Sequence, residues 1–320
     1  MKVVITGGLG FLGRKLAERL LAAGALNGRT IDQIVLFDRV AGAPPFDDQR
    51  VLTVIGDLTD PDQVAGMIGD ADAVFHLGAI VSGEAEQNLD LGLSVNLDGT
   101  RNVLQACRAG GRKPLLVFSS SVAAYGGDLP TTIDDATPLT PATSYGAQKV
   151  ACELLVIDFT RRGLVDGRSV RLPTIAVRPG KPNKAASGFA SGIAREPLNG
   201  VEFACPVTPE SSMVILSPRR AVDAFVWVAG LAGETLGHDR SILLPGITVT
   251  MTEMIEAVRR AGGDAAANRI SFEHDPAIQS IVDGWPRAIA AHRAADLGFK
   301  GDATIDDVID AYLADDSPNA

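Results

Sequence analysis

The sequence predicts an α/β fold in which a doubly wound parallel sheet is followed by a smaller C-terminal module. Three observations predict it. The first half alternates short apolar runs with amphipathic stretches, as expected for parallel strands with helices on both faces of the sheet. A glycine-rich turn joins the first apolar run to the first helical pattern. After residue 172 the alternation ends and prolines become frequent, which indicates a different module.

The predicted elements of the first half follow one another as strand and helix. Strands are expected at 2–6, 33–37, 51–55, 73–77 and 115–119, and helices around 11–23, 61–69, 96–109 and 144–162. Helical periodicity returns at 219–232, 252–261 and 304–313. We therefore expect two domains. The first covers residues 1–172 and regains the segment around 213–248, and the second covers residues 173–212 and 249–320.

Composition excludes several classes of protein. The chain has 320 residues, 46% hydrophobic and 21% charged, which suits a globular protein, and its formal net charge of −10 argues against nucleic-acid binding. Its apolar runs fall short of the ~18 residues of a membrane span, and its first residues lack a secretion signal. Cys107, Cys152 and Cys205 have neither metal-ligand spacing nor a disulfide pattern. We expect a cytoplasmic protein without a metal site or a membrane partner.

The glycine-rich turn predicts a dinucleotide site. The run Lys2–Thr6 is β-branched, glycines follow at Gly7, Gly10 and Gly13, and a helical pattern then begins at Phe11 and Leu12. Glycines let the backbone approach a pyrophosphate closely, and the N-terminus of the helix offers free N–H donors to it. A glycine turn without a ligand is the alternative interpretation.

Further cofactor contacts are expected where the other strands end. Asp38 follows the second strand and could accept both ribose hydroxyls of an adenosine, which favours NAD because the carboxylate would repel the 2′-phosphate of NADP. Arg39 beside it could soften that repulsion. The residues expected at the ends of the third and fourth strands are Asp57, Leu58, Leu77, Gly78 and Ala79.

A tyrosine and a lysine four residues apart predict the catalytic pair. Tyr145 and Lys149 fall on one face of the predicted helix 144–162. An ammonium beside a phenol should lower the phenol pKa and prepare it to take a proton while a hydride leaves the same carbon. Ser119, Ser120 and Ser121 end a strand at the same edge of the sheet, and a hydroxyl there could steady the reacting oxygen. An ordinary surface pair and ordinary turn-forming serines are the alternatives.

Two further polar residues lie near this edge. Asn96 begins a helical stretch and could cap it or position a proton-relay water near Lys149. His76 lies within an apolar run and is interpreted as a packed strand residue rather than a catalyst.

Taken together, these residues resemble the extended short-chain dehydrogenase/reductase family. The matching segments are Thr6–Gly13, Asp57-Leu58, His76–Ala79, Ser119–Ser121 with Tyr125-Gly126, and Tyr145 with Lys149. The resemblance implies a Rossmann fold with bound NAD and a catalytic set of Ser121, Tyr145 and Lys149. Lys149 would hold the nicotinamide ribose, and Pro173 and Ile175 would lie against the nicotinamide amide.

Within that family, the second half resembles dehydrogenases of short sugar acids. The carrying segments are 171–198, 217–223, 285–287 and 296–299. A sugar acid needs a cation for its carboxylate and polar partners for its hydroxyls. The cationic candidates are Arg178, Lys184 and Arg219, and the candidates for the hydroxyls are Asn183, Ser187 and Ser82. Exposed loop or helix charges are the alternative interpretation of Lys184 and Arg219, and a pair with a carboxylate across the module boundary is the alternative for Arg178.

The function expected from these patterns is NAD-dependent oxidation of the C2 hydroxyl of a short sugar acid to a 2-oxo acid. A nucleotide-sugar epimerase or dehydratase with retained NAD is one alternative, and a non-catalytic NAD-sensing protein is another. The resemblance also suggests a homodimer through the helices near 96–109 and 144–162. Leu104, Val150 and Leu154 are apolar positions there, and they could equally belong to the core.

Overall fold

The computed structural model describes residues 1–42, 45–180 and 187–317, which form two compact units. The first unit comprises residues 1–121, 144–171 and 222–242. The second comprises residues 122–143, 172–221 and 243–320, of which 181–186 and 318–320 lie outside the described residues. Each unit has its own hydrophobic core.

A seven-stranded sheet is the centre of the first unit, which confirms the predicted fold class. Its strands, from one edge to the other, are Ser241–Leu243, Asp166–Leu172, Leu115–Ser121, Ala73–His76, Lys2–Thr6, Gln33–Asp38 and Val51–Ile55. The ladders that join the last five of these strands are parallel. The strand order reverses direction at Lys2–Thr6, and sheets of this kind bind ligands beside the carboxyl ends of the strands at such a switch point.

Helices flank this sheet and bury its apolar side chains. They are Phe11–Ala23, Pro61–Ile68, Ser82–Gln87, Leu89–Gly92, Gly99–Gly110, Ser144–Arg161 and Gly233–Leu236, and helix Pro218–Gly230 begins in the second unit and ends in the first. Strand residues such as Val4, Val35 and Val74 pack with Val103 and Val156 of the helices. The strands are almost continuously buried, which explains why the sequence shows apolar runs rather than alternation.

The helix predicted at 96–109 is longer than expected. A π-helical segment, Leu93–Asp98, joins Leu89–Gly92 to Gly99–Gly110, so that the helical stretch begins near residue 89. Asn88, rather than Asn96, caps it by accepting a hydrogen bond from the Leu91 N–H. The sequence interval 24–30, which lengthens the connection to Asp38, forms a short hairpin of Ala25–Leu26 with Arg29–Thr30.

Within its described residues, the second unit contains small sheets, five α-helices that lie wholly in it, and the short 3-10 helix Val122–Ala124. Its strands form a three-stranded sheet of Thr174–Ile175, Ser212–Leu216 and Ile247–Thr250, a pair of Phe203–Cys205 with Ile270–Phe272, and a pair of Ile133–Asp134 with Ile289–Ala290. Its helices are Gly188–Leu198, Met251–Ala267, Pro276–Asp283, His292–Asp296 and Ile305–Asp315. Phe189, Met213, Met254, Val308 and Tyr312 lie in its core.

The unit boundaries differ from the expected domain boundaries at two places. The segment that returns to the first unit is 222–242 rather than 213–248. Strand Ser212–Leu216 pairs with Ile247–Thr250 and Thr174–Ile175, so both ends of the expected segment belong to the second unit. Residues 122–143 also belong there, because Ile133–Asp134 pairs with Ile289–Ala290.

The described residues contain neither a membrane-spanning helix nor a cluster of metal ligands. No helix in the described ranges is long and apolar enough to cross a bilayer. Within residues 1–42, 45–180 and 187–317, no group of three or more His, Cys, Asp or Glu side chains is placed to hold a metal ion.

Candidate active site

The glycine turn forms a cradle that no larger residue could form. Gly7 has a φ of +67°, and a β-carbon on it would lie 2.8 Å from the Gly78 amide nitrogen. A β-carbon on Gly13 would lie 2.3 Å from the Gly7 carbonyl oxygen. These contacts are with backbone atoms that cannot move aside cheaply. The three glycines at positions 7, 13 and 78 therefore allow strand Lys2–Thr6, helix Phe11–Ala23 and the end of strand Ala73–His76 to lie close together.

The helix that follows the cradle presents unsatisfied donors. Helix Phe11–Ala23 begins after Gly10, and its first turn has neither a side-chain cap nor an acidic residue. The N–H groups of Phe11 and Leu12 are in this turn. An N-terminus of this kind binds anions through its free N–H groups and its dipole. The cradle and the uncapped helix fit the pyrophosphate of a dinucleotide.

Acidic side chains lie where the next two strands end. The Asp38 carboxylate accepts hydrogen bonds from the N–H groups of Leu9, at 3.0 Å, and Val40, at 3.1 Å, which fixes it beside the glycine turn. Thr59 donates to Asp57 from its N–H and hydroxyl and holds the pKa of that carboxyl below its usual range, with a smaller contribution from Arg39. Arg39 lies 3.8 Å from Asp57.

Behind the cradle, a chain of hydrogen bonds runs through a buried histidine. The Gly78 N–H donates to Thr6 Oγ1 at 3.1 Å, and Thr6 Oγ1 lies 2.6 Å from His76 Nδ1. His76 Nε2 lies 2.9 Å from Thr100 Oγ1, which donates to the Asn96 carbonyl at 2.6 Å. Because Thr100 gives its proton to Asn96, Nε2 must carry the imidazole proton and Nδ1 must accept from Thr6.

His76 is therefore neutral and structural. It is 1% exposed, and burial, with a contribution from Lys149, lowers its pKa to about 3. Both ring nitrogens are occupied by threonine hydroxyls, which confirms the interpretation of His76 as a packed strand residue.

Asn96 lies inside the π-helical segment, so the expectation that it caps the helix is wrong. Its Oδ1 accepts from the Ile80 N–H at 2.8 Å, and its Nδ2 donates to Ile80 O at 3.2 Å and to Gln148 Oε1 at 2.7 Å. Gln148 immediately precedes Lys149, and its buried Nε2 has no hydrogen-bond partner in the described part of the chain. Asn96 therefore ties the loop after the fourth strand to the helix that carries the Tyr145–Lys149 pair.

Tyr145 and Lys149 share one face of helix Ser144–Arg161, as the spacing predicts. The Lys149 ammonium is 5.4 Å from the Tyr145 ring centroid and 4.7 Å from that of Phe118, and it donates to the Ser119 carbonyl at 2.7 Å. Burial lowers the pKa of Lys149 to about 8, against the opposing effect of Cys152 and Glu153. Burial also raises the pKa of Tyr145 to about 12. The expected lowering of the tyrosine pKa by the ammonium is therefore not seen, because burial of the phenol raises it.

The three serines end strand Leu115–Ser121. Ser119 and Ser121 point to one side of a strand and Ser120 to the other. The Ser120 hydroxyl donates to the buried Glu153 carboxylate, which Arg171 also contacts. Sequence reasoning missed Gln148, Glu153 and Arg171. A carboxylate within the apolar stretch 150–156 and a guanidinium within a buried strand were the signals that could have revealed the last two.

The residues expected to bind the substrate differ in the hydrogen bonds that they already form. In the second unit, the Arg178 guanidinium donates to the Ser187 carbonyl at 3.2 Å and lies 3.5 Å from Ser191 Oγ. Arg219 instead forms two hydrogen bonds with Asp315, at 3.0 and 2.7 Å, so its guanidinium is already neutralised. This pairing competes with a substrate carboxylate, and the expectation that Arg219 holds one stays a prediction. Asn183 and Lys184 lie outside the described residues.

Three other predicted residues are described within their own units. Pro173 is buried, and Ile175 lies in strand Thr174–Ile175, which pairs with Leu216. Ser82 begins the short helix Ser82–Gln87 of the first unit. Their proposed contacts with cofactor or substrate stay predictions.

Comparisons with known proteins agree with this geometry. The profile of the NAD dependent epimerase/dehydratase family matches residues 3–229. The chain belongs to this family. It is 53% identical over 320 residues to D-erythronate dehydrogenase of Cupriavidus necator, covering 98% of both chains. It is 46% identical over 314 residues to D-erythronate dehydrogenase of Haemophilus influenzae, covering 98% of this chain and 99% of the other.

A solved structure supports the fold over the whole length. A protein from Agrobacterium tumefaciens described as a nucleoside-diphosphate-sugar epimerase superposes with a TM-score of 0.95 at 40% identity, covering 100% of this chain and 95% of the other. With the family match and the two dehydrogenase relatives, this identifies the chain as an NAD-dependent oxidoreductase. The predicted family, fold class and cofactor are thus confirmed.

The cradle makes a testable prediction about cofactor binding. Gly13→Ala places a β-carbon against the Gly7 carbonyl, so we expect NADH affinity to fall at least about tenfold. Gly66→Ala is the matched control, because a β-carbon there has nothing within 4 Å and alanine favours the helix. Titration of each purified variant with NADH, followed by fluorescence, measures the difference. Equal affinities for the two variants would contradict the assigned role of the cradle.

Proposed function

We propose that this protein catalyses the NAD-dependent oxidation of D-erythronate, or of a closely similar four-carbon sugar acid, at its C2 hydroxyl. The observation that carries the proposal is the identity of 53% and 46% to two D-erythronate dehydrogenases over almost the whole chain. The similarity includes the second unit, where the substrate candidates of the sequence analysis mostly lie.

The proposed reaction converts a 2-hydroxy acid to a 2-oxo acid. Tyr145 takes the proton of the C2 hydroxyl, and Ser121 hydrogen-bonds the same oxygen. Bound NAD supplies one piece of chemistry, the acceptance of the hydride from C2. The carbon–hydrogen bond and the oxygen–hydrogen bond break, a carbon–oxygen double bond forms, and the products are the oxo acid, NADH and a proton.

Lys149 supports the proton transfer through its charge. A phenol with a pKa of about 12 is almost entirely protonated at neutral pH, and a neighbouring ammonium stabilises the phenolate form that can accept a proton. Lys149 is one helical turn away, and its pKa of about 8 leaves it mostly protonated below that pH. We propose that the same ammonium would hold the nicotinamide ribose.

We assign the cofactor contacts to the cradle and the strand ends. The N–H groups after Gly10, including those of Phe11 and Leu12, would hold the pyrophosphate. Asp38 would accept the adenosine ribose hydroxyls, and its charge would disfavour the 2′-phosphate of NADP. Arg39 lies toward Asp57, which limits its ability to attract that phosphate. The remaining cofactor contacts are proposed for Asp57, Leu58, Leu77, Gly78, Ala79, Asn96, Pro173 and Ile175.

Arg178 is the proposed partner of the substrate carboxylate. Burial, with the nearby charge of Arg195, lowers its pKa, and no carboxylate of the described residues pairs with its guanidinium. A partly buried arginine without a negative partner costs free energy, and a bound anion would offset that cost. Arg195 is unsuited to this role because Glu196 already pairs with it. Ser82 and Ser187 are proposed to bind substrate hydroxyls.

A nucleotide-sugar epimerase is the second candidate, favoured by the description of the 40% identical structure from Agrobacterium tumefaciens. The two activities differ in their products. A dehydrogenase releases NADH in proportion to the acid consumed, whereas an epimerase retains its cofactor and accumulates no NADH.

The reaction is tested by NADH formation with D-erythronate. We expect wild-type protein to reduce NAD, and the Tyr145→Phe variant to lower kcat by about a thousandfold because the proton acceptor is lost. Tyr312→Phe is the matched control, since its hydroxyl is bonded to Asn199 in the second unit, at 2.6 Å. Absorbance of the reduced cofactor measures all three proteins, with NAD and NADP side by side.

Two outcomes would decide against parts of this scheme. Near-normal turnover by Tyr145→Phe would refute the role of the tyrosine. Interconversion of a nucleotide sugar by wild-type protein, without NADH formation from any four- to six-carbon aldonic acid, would establish the epimerase instead.

The carboxylate partner is tested by comparing arginine variants. Arg178→Gln should raise KM for the acid about tenfold to a hundredfold, because a charge-assisted pair is lost, while KM for NAD changes less than about twofold. Arg260→Gln, which breaks an exposed pair with Asp306 in the same unit, should leave both constants unchanged. Steady-state kinetics with each substrate varied give these values. A raised KM in Arg219→Gln, with normal kinetics in Arg178→Gln, would contradict the assignment.

We propose in addition that the protein is a homodimer. Leu89 and Leu93 lie one turn apart on the helical stretch 89–110 and are 53% and 37% exposed, and Leu154 on helix Ser144–Arg161 is 61% exposed. These helices pack on each other within the first unit. Leu104 is buried in the core and Val150 is half-buried. Of the three apolar positions suggested by the sequence for a dimer interface, Leu154 is the one exposed enough to contact a partner. An apolar strip on paired helices suits a symmetric interface.

The dimer is tested with Leu154→Glu. A charge in the strip should shift the protein from dimer to monomer at micromolar concentration, because it would be buried against its own copy. Val201→Glu, at a 53% exposed position of the second unit, should leave the assembly unchanged. Light scattering coupled to size-exclusion chromatography measures the mass. A wild-type monomer, or an unaltered Leu154→Glu dimer, would contradict the proposal.

A cytoplasmic location is also proposed. Cys107, Cys152 and Cys205 are all free and buried. Unpaired thiols are typical of reducing compartments.

A further inference from the structure

A buried cluster of three side chains lies behind the proposed catalytic residues of the first unit. The Arg171 guanidinium donates to both oxygens of the Glu153 carboxylate, at 3.0 Å from Nε to Oε1 and 2.6 Å from Nη2 to Oε2. The Ser120 hydroxyl donates to the same carboxylate. Ser120 and Glu153 are 2% exposed and Arg171 is 7% exposed. None of these residues touches the atoms that the proposed reaction changes.

Helix Ser144–Arg161 is hydrogen-bonded to the end of strand Leu115–Ser121 at two adjacent residues. Lys149 and Glu153 are one turn apart on helix Ser144–Arg161. Lys149 donates to the Ser119 carbonyl at 2.7 Å, and Glu153 accepts from the hydroxyl of Ser120. Both bonds therefore end on the two residues that precede Ser121. These two bonds anchor the strand end immediately before Ser121.

Stability does not explain the choice of a charged pair here. Burying two ions costs several kcal/mol that their attraction only partly repays, and apolar residues of similar volume often give equal or greater stability. A carboxylate offers what an apolar residue cannot: it accepts hydrogen bonds from two elements at once and carries a negative charge next to Lys149.

The charged groups around Lys149 show why the negative charge of Glu153 affects its protonation. On its own helix Lys149 has Tyr145, Cys152 and Glu153 nearby, and Glu153 opposes the loss of its proton that burial favours. From the neighbouring strands, the neutral His76 interacts with it, and Arg171 binds the Glu153 carboxylate. Among the groups just named, Glu153 is the only carboxylate.

We infer that Glu153 is a positioning residue for the reaction. Held by Arg171, its carboxylate fixes Ser120 and hence the strand end that carries Ser121, and it keeps the Lys149 ammonium charged. This inference rests on the proposed roles of Ser121, Tyr145 and Lys149. It assigns no contact with substrate or cofactor to Glu153 itself.

The test is the Glu153→Gln variant, which keeps the shape and removes the charge. The pKa of Lys149 should fall below about 8, because the carboxylate that raised it is gone. The ammonium is then lost at lower pH, so the basic limbs of two pH profiles should move to lower pH by about one unit. These profiles are kcat for the acid and the affinity for NADH. We also expect kcat at neutral pH to fall about tenfold, with KM for the acid nearly unchanged.

Two further variants separate positioning from charge. Ser120→Ala removes the bond to the strand but leaves the ion pair, so kcat should fall several-fold with no shift of the basic limb. Asp158→Asn is the matched control, because it removes an exposed carboxylate of the same helix that pairs with Arg161 and Arg162. It should change neither quantity.

A Glu153→Gln variant that does not fold calls for a second variant. If Glu153→Gln does not fold, because Arg171 loses its buried carboxylate partner, the double variant Glu153→Gln/Arg171→Gln removes a pair with no net charge and should move the basic limbs in the same direction by a smaller amount. Basic limbs that coincide with wild type in a folded variant, both for kcat and for NADH affinity, would overturn the inference. Absence of NADH formation by wild-type protein would instead refute the proposed function, and the NADH-binding profile would still decide the effect of Glu153 on Lys149.

Discussion

The buried ammonium of Lys149 is the constraint on which the rest of the candidate site depends. Its burial lowers its pKa to about 8, so the fold must supply compensating groups to keep it charged. The Ser119 carbonyl at 2.7 Å and the Phe118 ring at 4.7 Å are two of them. Tyr145 and Glu153 stand one turn before and one turn after it. The tyrosine, the strand end and the buried ion pair are all placed with respect to this one charge.

The cofactor cradle is connected to the same region by oriented hydrogen bonds. The chain from the Gly78 N–H through Thr6, His76 and Thr100 ends on the Asn96 carbonyl, where the Cys152 thiol also donates. Each member has a single consistent donor direction, so removing one hydroxyl would leave a buried donor or acceptor unsatisfied. The wider π turn at Leu93–Asp98, a feature that often marks functional sites, brings Asn96 into this chain.

The parts of the fold that sequence could predict are those with strong local signals. Lys2–Thr6 and Phe11–Ala23 match their predicted bounds, because a β-branched run, a glycine turn and an amphipathic stretch are each determined by neighbouring residues. Tyr145 and Lys149 share a helix face for the same reason. Of the two interpretations of Asn96, the helix cap was wrong because a π turn has no sequence periodicity of its own. Strand Ser212–Leu216 was assigned to the wrong unit, because an apolar run does not reveal which sheet it will join.

The choice between the two arginines shows where sequence reasoning ends. Both Arg178 and Arg219 precede or follow a proline near an element end, and nothing local distinguishes them. They differ in what the fold brings to them: Arg219 meets Asp315, 96 residues away, while Arg178 meets a hydroxyl and a carbonyl. A carbonyl orients a guanidinium without cancelling its charge, whereas a carboxylate cancels it. Which of the two cations meets a carboxylate is therefore decided by long-range pairing, and spacing along the chain cannot reveal it.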